Sequence, residues 1–348
     1  MLRWFEKAET SSGNIVYSRI RLARNWEGHM FPQKLSDEEG LELVKRLEFG
    51  LRDLTQDDGR TYEYALLDEL KDLDRQALRE RRILNSGTVA KKSPVGIILS
   101  EDEETSIVLN GDDHIRLQIL APGLHLEELW QRADRLDDYI NARFPYAFDE
   151  KYGYLTSYPT NTGTGLRACA ILHLPTLSMG KKFSNMLAEL SRFGVTIRGV
   201  YGEGSENYGA LYEVANQKTL GQSEKEIVEL VTKIARQLDA QERKVRRMAL
   251  ENHRLEREDE AYKSYGILKY ARRLTKKDAM IFLSQLMAGM ADRLIRTEEP
   301  CSVYRLMLGI QTANLQKLSS KPLNQEELDV ARAAYLRREL PLLKEQTS

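Results

Sequence analysis

Through its first two thirds the chain switches repeatedly between period-two and helical apolar patterns. Residues 14–22 (NIVYSRIRL) are rich in β-branched residues and partly alternating, which predicts a strand. Residues 37–54 set Leu41, Leu43, Val44 and Leu47 at helical spacing and predict a helix. Three strands are expected next, over 95–100, 106–110 and 114–120. Only the short polar turns 101–104 and 111–113 separate them, so antiparallel pairing is the simplest arrangement. A helix over 126–144 follows, then strands over 166–174, 195–201 and 210–214, with a helix over 178–193 between the first two. The pattern predicts an α+β fold whose sheet is mainly antiparallel and flanked by helices.

From Ser223 the period changes for good. Ser223 and Glu226 form a capping-box signature, and Ile227, Leu230, Val231, Ile234 and Leu238 follow at helical spacing. The charge-rich stretch 242–260 contains neither Gly nor Pro. Thr275 and Asp278 offer a second cap before Met280, Leu283, Met287, Met290 and Leu294, and Pro300 ends that helix. Two further helices are predicted over 303–318 and 325–340. The chain therefore divides into a mixed domain, 1–250, and an all-helical domain, 251–348.

Composition narrows the function classes. The 52 Lys+Arg are balanced by 53 Asp+Glu, so the basic excess of a general nucleic-acid binder is missing. A local cluster of cations remains compatible with that balance. The two cysteines, Cys169 and Cys301, are far apart and lack metal-ligand spacing, which argues against a disulfide framework and for a cytoplasmic protein. The opening MLRWFEKAET has no apolar signal core, and no window approaches the roughly 20 apolar residues of a membrane span.

Four segments carry candidate chemistry. In Ser18-Arg19-Ile20-Arg21 the two arginines are two apart on a strand, so both guanidinium forks face one side and can grip phosphate oxygens. A solvated strand face explains that spacing equally well. In residues 110–116 (NGDDHIR), Asp112 and Asp113 occupy a turn and Arg116 the next strand; an ordinary acidic turn is the simpler account. His114 reads as a structural histidine. Residues 154–175 (YLTSYPTNTGTGLRACAILHLP) hold a polar loop with Gly163 and Gly165, feeding a strand that begins at Arg167. No Gly-Lys-Ser/Thr follows the glycines, so this is not a Walker loop. In residues 197–204 (IRGVYGEG), Arg198 and Glu203 flank a glycine-punctuated loop.

Taken in order, SRIR, DHIR, PTNTGTGLRA and RGVYGE resemble the signatures of the phosphagen (ATP:guanidino) kinases, and the chain is most similar to their bacterial protein arginine kinase branch. The string 201–221, the all-helical C-terminal part and the expected lack of a small helical N-terminal domain carry that closer resemblance. It implies transfer of the ATP γ-phosphoryl group to arginine side chains of proteins. Arg19, Arg21, Arg116, Arg167 and Arg198 would surround the phosphates, with Ser18 beside them and Arg82 near the adenine. Mg2+ would bridge the phosphates. Glu203, Asp112 and Asp113 would serve the guanidinium. Asp329 and Arg332 would contribute to a phosphoarginine-binding site. The implied partners are proteins with exposed arginines, a heat-shock repressor, a zinc-binding activator protein and a Clp unfoldase, within a homo-oligomer that engages neither nucleic acid nor membrane.

The chain departs from the family pattern on the acceptor side. Asn110-Gly111-Asp112-Asp113 stands for the usual N-E-E-D, Tyr158 for a cysteine, and Leu328 for the first arginine of an R-D-x-x-R-A string. A catalytically weak nucleotide-binding adaptor is the alternative these departures motivate. A free-arginine kinase is disfavoured by the domain content.

Overall fold

The predicted strands pair into one eight-stranded sheet in the computed structural model, which describes residues 2–7, 13–55, 59–201 and 207–344. In chain order the strands are β1 (Ile15–Arg24), β2 (Tyr62–Leu66), β3 (Gly96–Ser100), β4 (Thr105–Leu109), β5 (Ile115–Pro122), the small hairpin β6 (Phe148–Asp149) and β7 (Gly153–Tyr154), then β8 (Leu166–His173), β9 (Val195–Gly199) and β10 (Leu211–Asn216). The sheet order is β2-β3-β4-β5-β1-β8-β10-β9, and every neighbouring pair is antiparallel. The expected fold class is therefore what forms.

Register sorts each strand into two faces. Ile20 and Leu22 of β1 share one face with Leu117 and Ile119 of β5 and with Ala168 and Ala170 of β8. That face carries the largest core, closed by the helices Asp37–Gly50 and Leu126–Asn141 and by the first half of the helix Glu224–Tyr270. The other face is apolar only at its margins. Toward one margin Val108 and Ile97 pack with Leu78, Ile83 and Leu84 from the β2–β3 connection. Toward another, Tyr17, Leu120 and Ile171 join Tyr265, Met280, Leu283 and Tyr304 of the C-terminal helices. The middle of this face is where the arginines lie.

The C-terminal part is helical, as expected. Ser223 and Glu226 form the reciprocal capping box, and Thr275 accepts from the Asp278 N–H. The helix that starts after Ser223 and continues through the charge-rich stretch 242–260 is Glu224–Tyr270, bent at His253 (φ −139°), so the 250/251 division falls close to the bend. One segment differs from expectation. Residues 303–318 form two helices, Val303–Gly309 and Thr312–Gln316. The first ends where Tyr335 occupies the space a Cβ on Gly309 would need. Strand β2 and the short helices Asp72–Glu80 and Ser86–Ala90 are not among the elements expected from the sequence; each spans nine residues or fewer.

Candidate active site

Five arginines from four strands converge on the middle of the second sheet face. Arg21 lies directly across from Arg167 and Gln118, Arg19 across from Cys169, Ala23 across from Arg116, and Arg198 across from Glu213. Partners directly opposite each other point to the same side, so Arg19, Arg21, Arg116, Arg167 and Arg198 all face one way. Ser18, expected beside them, lies on the opposite face. It is fully buried, and its hydroxyl accepts from the His125 N–H at 3.0 Å.

The charge on this face is poorly compensated. Among the described residues the Arg21 guanidinium makes no hydrogen bond or ion pair. Burial, then the like charge of Arg19, lowers it to about 10. Arg116 is 6% exposed, donates to the Ile83 carbonyl at 2.8 Å, and leaves its Nε unpartnered. Burial, then the charge of Arg21, lowers it to about 9. Cations crowded this way are held ready for an anion, since unpaired buried charge is otherwise costly.

One carboxylate that the sequence reading missed sits among them. Glu213 bridges Arg19 at 3.0 Å and Arg198 at 2.7 Å. Burial would raise its carboxyl, but the two guanidinium groups outweigh it and hold it below the usual glutamate range. The available signal was the 195–201/210–214 pair of strands; with its register known, Glu213 falls opposite Arg198. Cys169 is buried beside Arg19, and burial pushes its thiol up to about 11, so it stays protonated.

Arg167 is committed differently. It donates to the carbonyls of Asn216 at 2.6 Å and Thr160 at 2.8 Å and to Asn161 Oδ1 at 3.2 Å, pinning the 158–165 loop against the end of β10. Its partners are neutral, so its charge remains available. The loop glycines serve the protein's own chain rather than a ligand. A Cβ on Gly163 (φ +113°) would overlap the Thr219 carbonyl, and one on Gly165 (φ +65°) would press on Ala23 and Arg24.

The two turn aspartates have separate environments. Asp112 is half-buried and accepts from Asn85 Nδ2 at 2.9 Å. Asp113 is buried and accepts from Asn25 Nδ2 at 2.8 Å and the Ser157 N–H at 2.6 Å, tying the turn to the start of the 158–165 loop. Burial leads its causes of shift and raises its carboxyl. His114 is structural: Nδ1 accepts from the Trp26 N–H, which leaves Nε2 to donate to the Met30 carbonyl, and burial lowers it to about 4. Tyr158 is half exposed at the loop's outer end. Glu203 lies outside the described residues.

Arg82 reaches the same face from outside the sheet. Its guanidinium stacks over the Tyr201 ring at 4.7 Å and donates to the Val200 carbonyl at 3.2 Å. Asp329 and Arg332 lie within the helical part. Both are at most 2% exposed, pair with each other at 2.7 Å, and Arg332 also donates to the carbonyls of Leu274 and Ile310. They hold three segments of the helical part together.

An antiparallel sheet presenting five arginines from four strands fits a catalytic domain of the ATP:guanidino phosphotransferase class, and residues 42–245 match the family described as ATP:guanido phosphotransferase, C-terminal catalytic domain. Residues 254–348 match the protein-arginine kinase McsB C-terminal domain. A protein-arginine kinase of Caldanaerobacter subterraneus subsp. tengcongensis is 39% identical over 94% of this chain and 96% of its own. One from Halalkalibacterium halodurans is 38% identical over 97% of this chain and 95% of its own. The chain belongs to the protein-arginine kinase family. A lombricine kinase crystal structure superposes with a TM-score of 0.59 at 23% identity, covering 72% of this chain and 70% of that one, a likeness of fold.

Proposed function

We propose that this chain phosphorylates arginine side chains of proteins, using the γ-phosphoryl group of ATP. The observation that carries the reading is the crowded, under-compensated arginine face, which offers an ATP polyphosphate what it needs. Arg19, Arg21, Arg116 and Arg198 would neutralise the phosphate oxygens, and Arg167 would do so while anchoring its loop. Phosphoryl transfer depends mainly on such positioning and charge neutralisation. Mg2+ would come with the nucleotide and add to the charge neutralisation of its phosphates. Arg82, stacked beside the face, would lie at the nucleotide's edge.

On the acceptor side, Asp112 and Glu203 would hold the substrate guanidinium in plane. The step forms an N–P bond to the γ-phosphorus, breaks its bond to the bridging oxygen of ADP, and passes the guanidinium proton to a carboxylate. Asp112, half-buried, suits that role better than Asp113, which is buried and ties the turn to Asn25 and Ser157. The names of the relatives support a protein substrate. Within a cell we place the enzyme in the cytoplasm as a homo-oligomer, acting on a stress-response repressor with a zinc-binding activator and marking proteins for a Clp unfoldase. No described helix is long and apolar enough to cross a membrane.

The test is direct. Full-length protein is incubated with ATP, Mg2+ and a casein-like substrate, and acid-labile phosphoarginine is mapped by mass spectrometry. Phosphoarginine on the substrate supports the reading. ATP binding without phosphoarginine on any protein would sink it in favour of the adaptor, and phosphorylation of free arginine alone would sink it in favour of a metabolite kinase.

A further inference from the structure

The turn that follows the helix Asp72–Glu80 faces two ways. Toward the sheet, the Ile83 carbonyl accepts from Arg116 Nη2 at 2.8 Å and the Arg82 carbonyl accepts from Gln118 Nε2 at 2.9 Å. Toward the C-terminal helices, the Glu80 carboxylate accepts from the backbone N–H groups of Ala313 and Asn314 at 2.9 and 3.0 Å and from Asn314 Nδ2 at 2.9 Å. It thereby caps the helix Thr312–Gln316 from outside that helix's own segment, 233 residues away in the chain. An ion pair between Lys317 and Asp74 at 2.7 Å runs alongside.

Two features make this clamp more than packing. Arg116 is repelled by Arg21, and the Ile83 carbonyl is its one hydrogen-bond acceptor among the described residues, so the place of Ile83 decides where Arg116 points. Arg82, between the clamp and Ile83, ends the helix Asp72–Glu80 in the left-handed region (φ +69°): its N–H donates to the Arg79 carbonyl and the Ile83 N–H to the Leu78 carbonyl, so the course of the 80–83 turn is fixed to the helix that carries Glu80.

We propose that Glu80 is a positioning residue for phosphoryl transfer: by holding the 80–83 turn to the helix Thr312–Gln316, it lets the C-terminal helices set the placement of Arg116 and Arg82, and hence the affinity of the arginine face for nucleotide phosphates. This rests on the reading of that face as the ATP site.

The experiment measures ATP Kd, and kcat and KM for phosphoarginine formation, in the full-length protein with Glu80→Ala, Glu80→Gln, Arg116→Ala and the Glu80→Ala/Arg116→Ala pair. Glu80→Ala should weaken ATP binding about tenfold, the size of losing a charge-assisted hydrogen bond. Glu80→Gln, which keeps an acceptor oxygen, should lose less. In the Arg116→Ala background the Glu80 substitution should add little. Equal losses in both backgrounds would overturn the proposal, as would a lowered melting temperature with ATP affinity unchanged. If Glu80→Ala does not fold, the same comparison is read from Glu80→Gln. A wild type that binds ATP but makes no phosphoarginine defeats the kinase reading and leaves the Kd ratios decisive here; a wild type that binds no ATP defeats both.

Discussion

Arg21 and Arg167 stand directly opposite each other on adjacent strands, on one side of the sheet, and neither is in an ion pair among the described residues. Arg19 and Arg198 share the single carboxylate of Glu213, and Arg116 has only a carbonyl. A folded protein tolerates such crowding where it is relieved by a ligand, because like charges at close range cost stability.

Arg21→Ala isolates that cost. The free protein loses a cation that has no partner and is repelled by Arg19, so its melting temperature should stay the same or rise. ATP affinity should fall about 10–100-fold, as expected for losing charge-assisted hydrogen bonds to phosphate. Calorimetric melting and ATP titration of the same preparation check both halves. A drop in melting temperature with intact ATP affinity would place Arg21 in the scaffold instead.

Glu213→Gln acts in the other direction. Without the carboxylate, Arg19 and Arg198 attract phosphates more strongly but lose the anchor that fixes their forks. The KM for ATP should hold or fall while kcat drops about tenfold or more, since misplaced groups act on the transition state first. Steady-state kinetics separate the two. A raised KM with unchanged kcat would mean that Glu213 shapes only the ground-state pocket.

Much of this was legible in sequence. The helical last third and the antiparallel hairpins follow from periodicity, the common face of Arg19 and Arg21 from strand alternation, and the gathering of Arg116, Arg167 and Arg198 beside them from the family resemblance alone. What escaped has physical reasons. Glu213 became visible only through the register of β9 and β10, which a one-residue slip would turn to the other face. Ser18 adjoins Arg19 in sequence, yet alternation sends its side chain to the opposite side. The contacts of the Glu80 carboxylate with Ala313 and Asn314 lie more than two hundred residues away in the chain, and no local pattern records them. That Asp329 and Arg332 are buried and paired, with Arg332 also bound to the carbonyls of Leu274 and Ile310, is likewise not recorded in the string that suggested them.

The two turn aspartates provide a third test. If Asp112 takes the guanidinium proton, Asp112→Asn should cut single-turnover transfer about 10²–10⁴-fold with ATP binding unchanged. Asp113→Asn keeps an oxygen for the Ser157 N–H and Asn25, so transfer should change much less. Rapid-quench measurement of phosphoarginine at saturating ATP compares them. A larger loss from Asp113→Asn than from Asp112→Asn would reverse the assignment.

The pH dependence of ATP binding tests the crowding itself. Arginine ordinarily keeps its charge at any working pH, but burial and like charge bring Arg116 to about 9 and Arg21 to about 10 in the free protein. Bound phosphate would offset the repulsion and raise both. A cation whose pKa rises on binding contributes fully below its free value, and its contribution is lost as pH climbs through that value. ATP affinity should therefore be level near neutrality and weaken as pH rises past about 9, by at most about tenfold per pH unit for each group that loses its proton. ATP carries its full negative charge throughout that range, so its own titration does not contribute. The decline should be shallower in Arg116→Ala, which removes the lower of the two groups. Titrations at pH 7.5, 9 and 10 in a constant salt background would read this. A flat profile would mean that the guanidinium groups keep their charge despite the crowding, and that the free face is better compensated by solvent than its geometry implies.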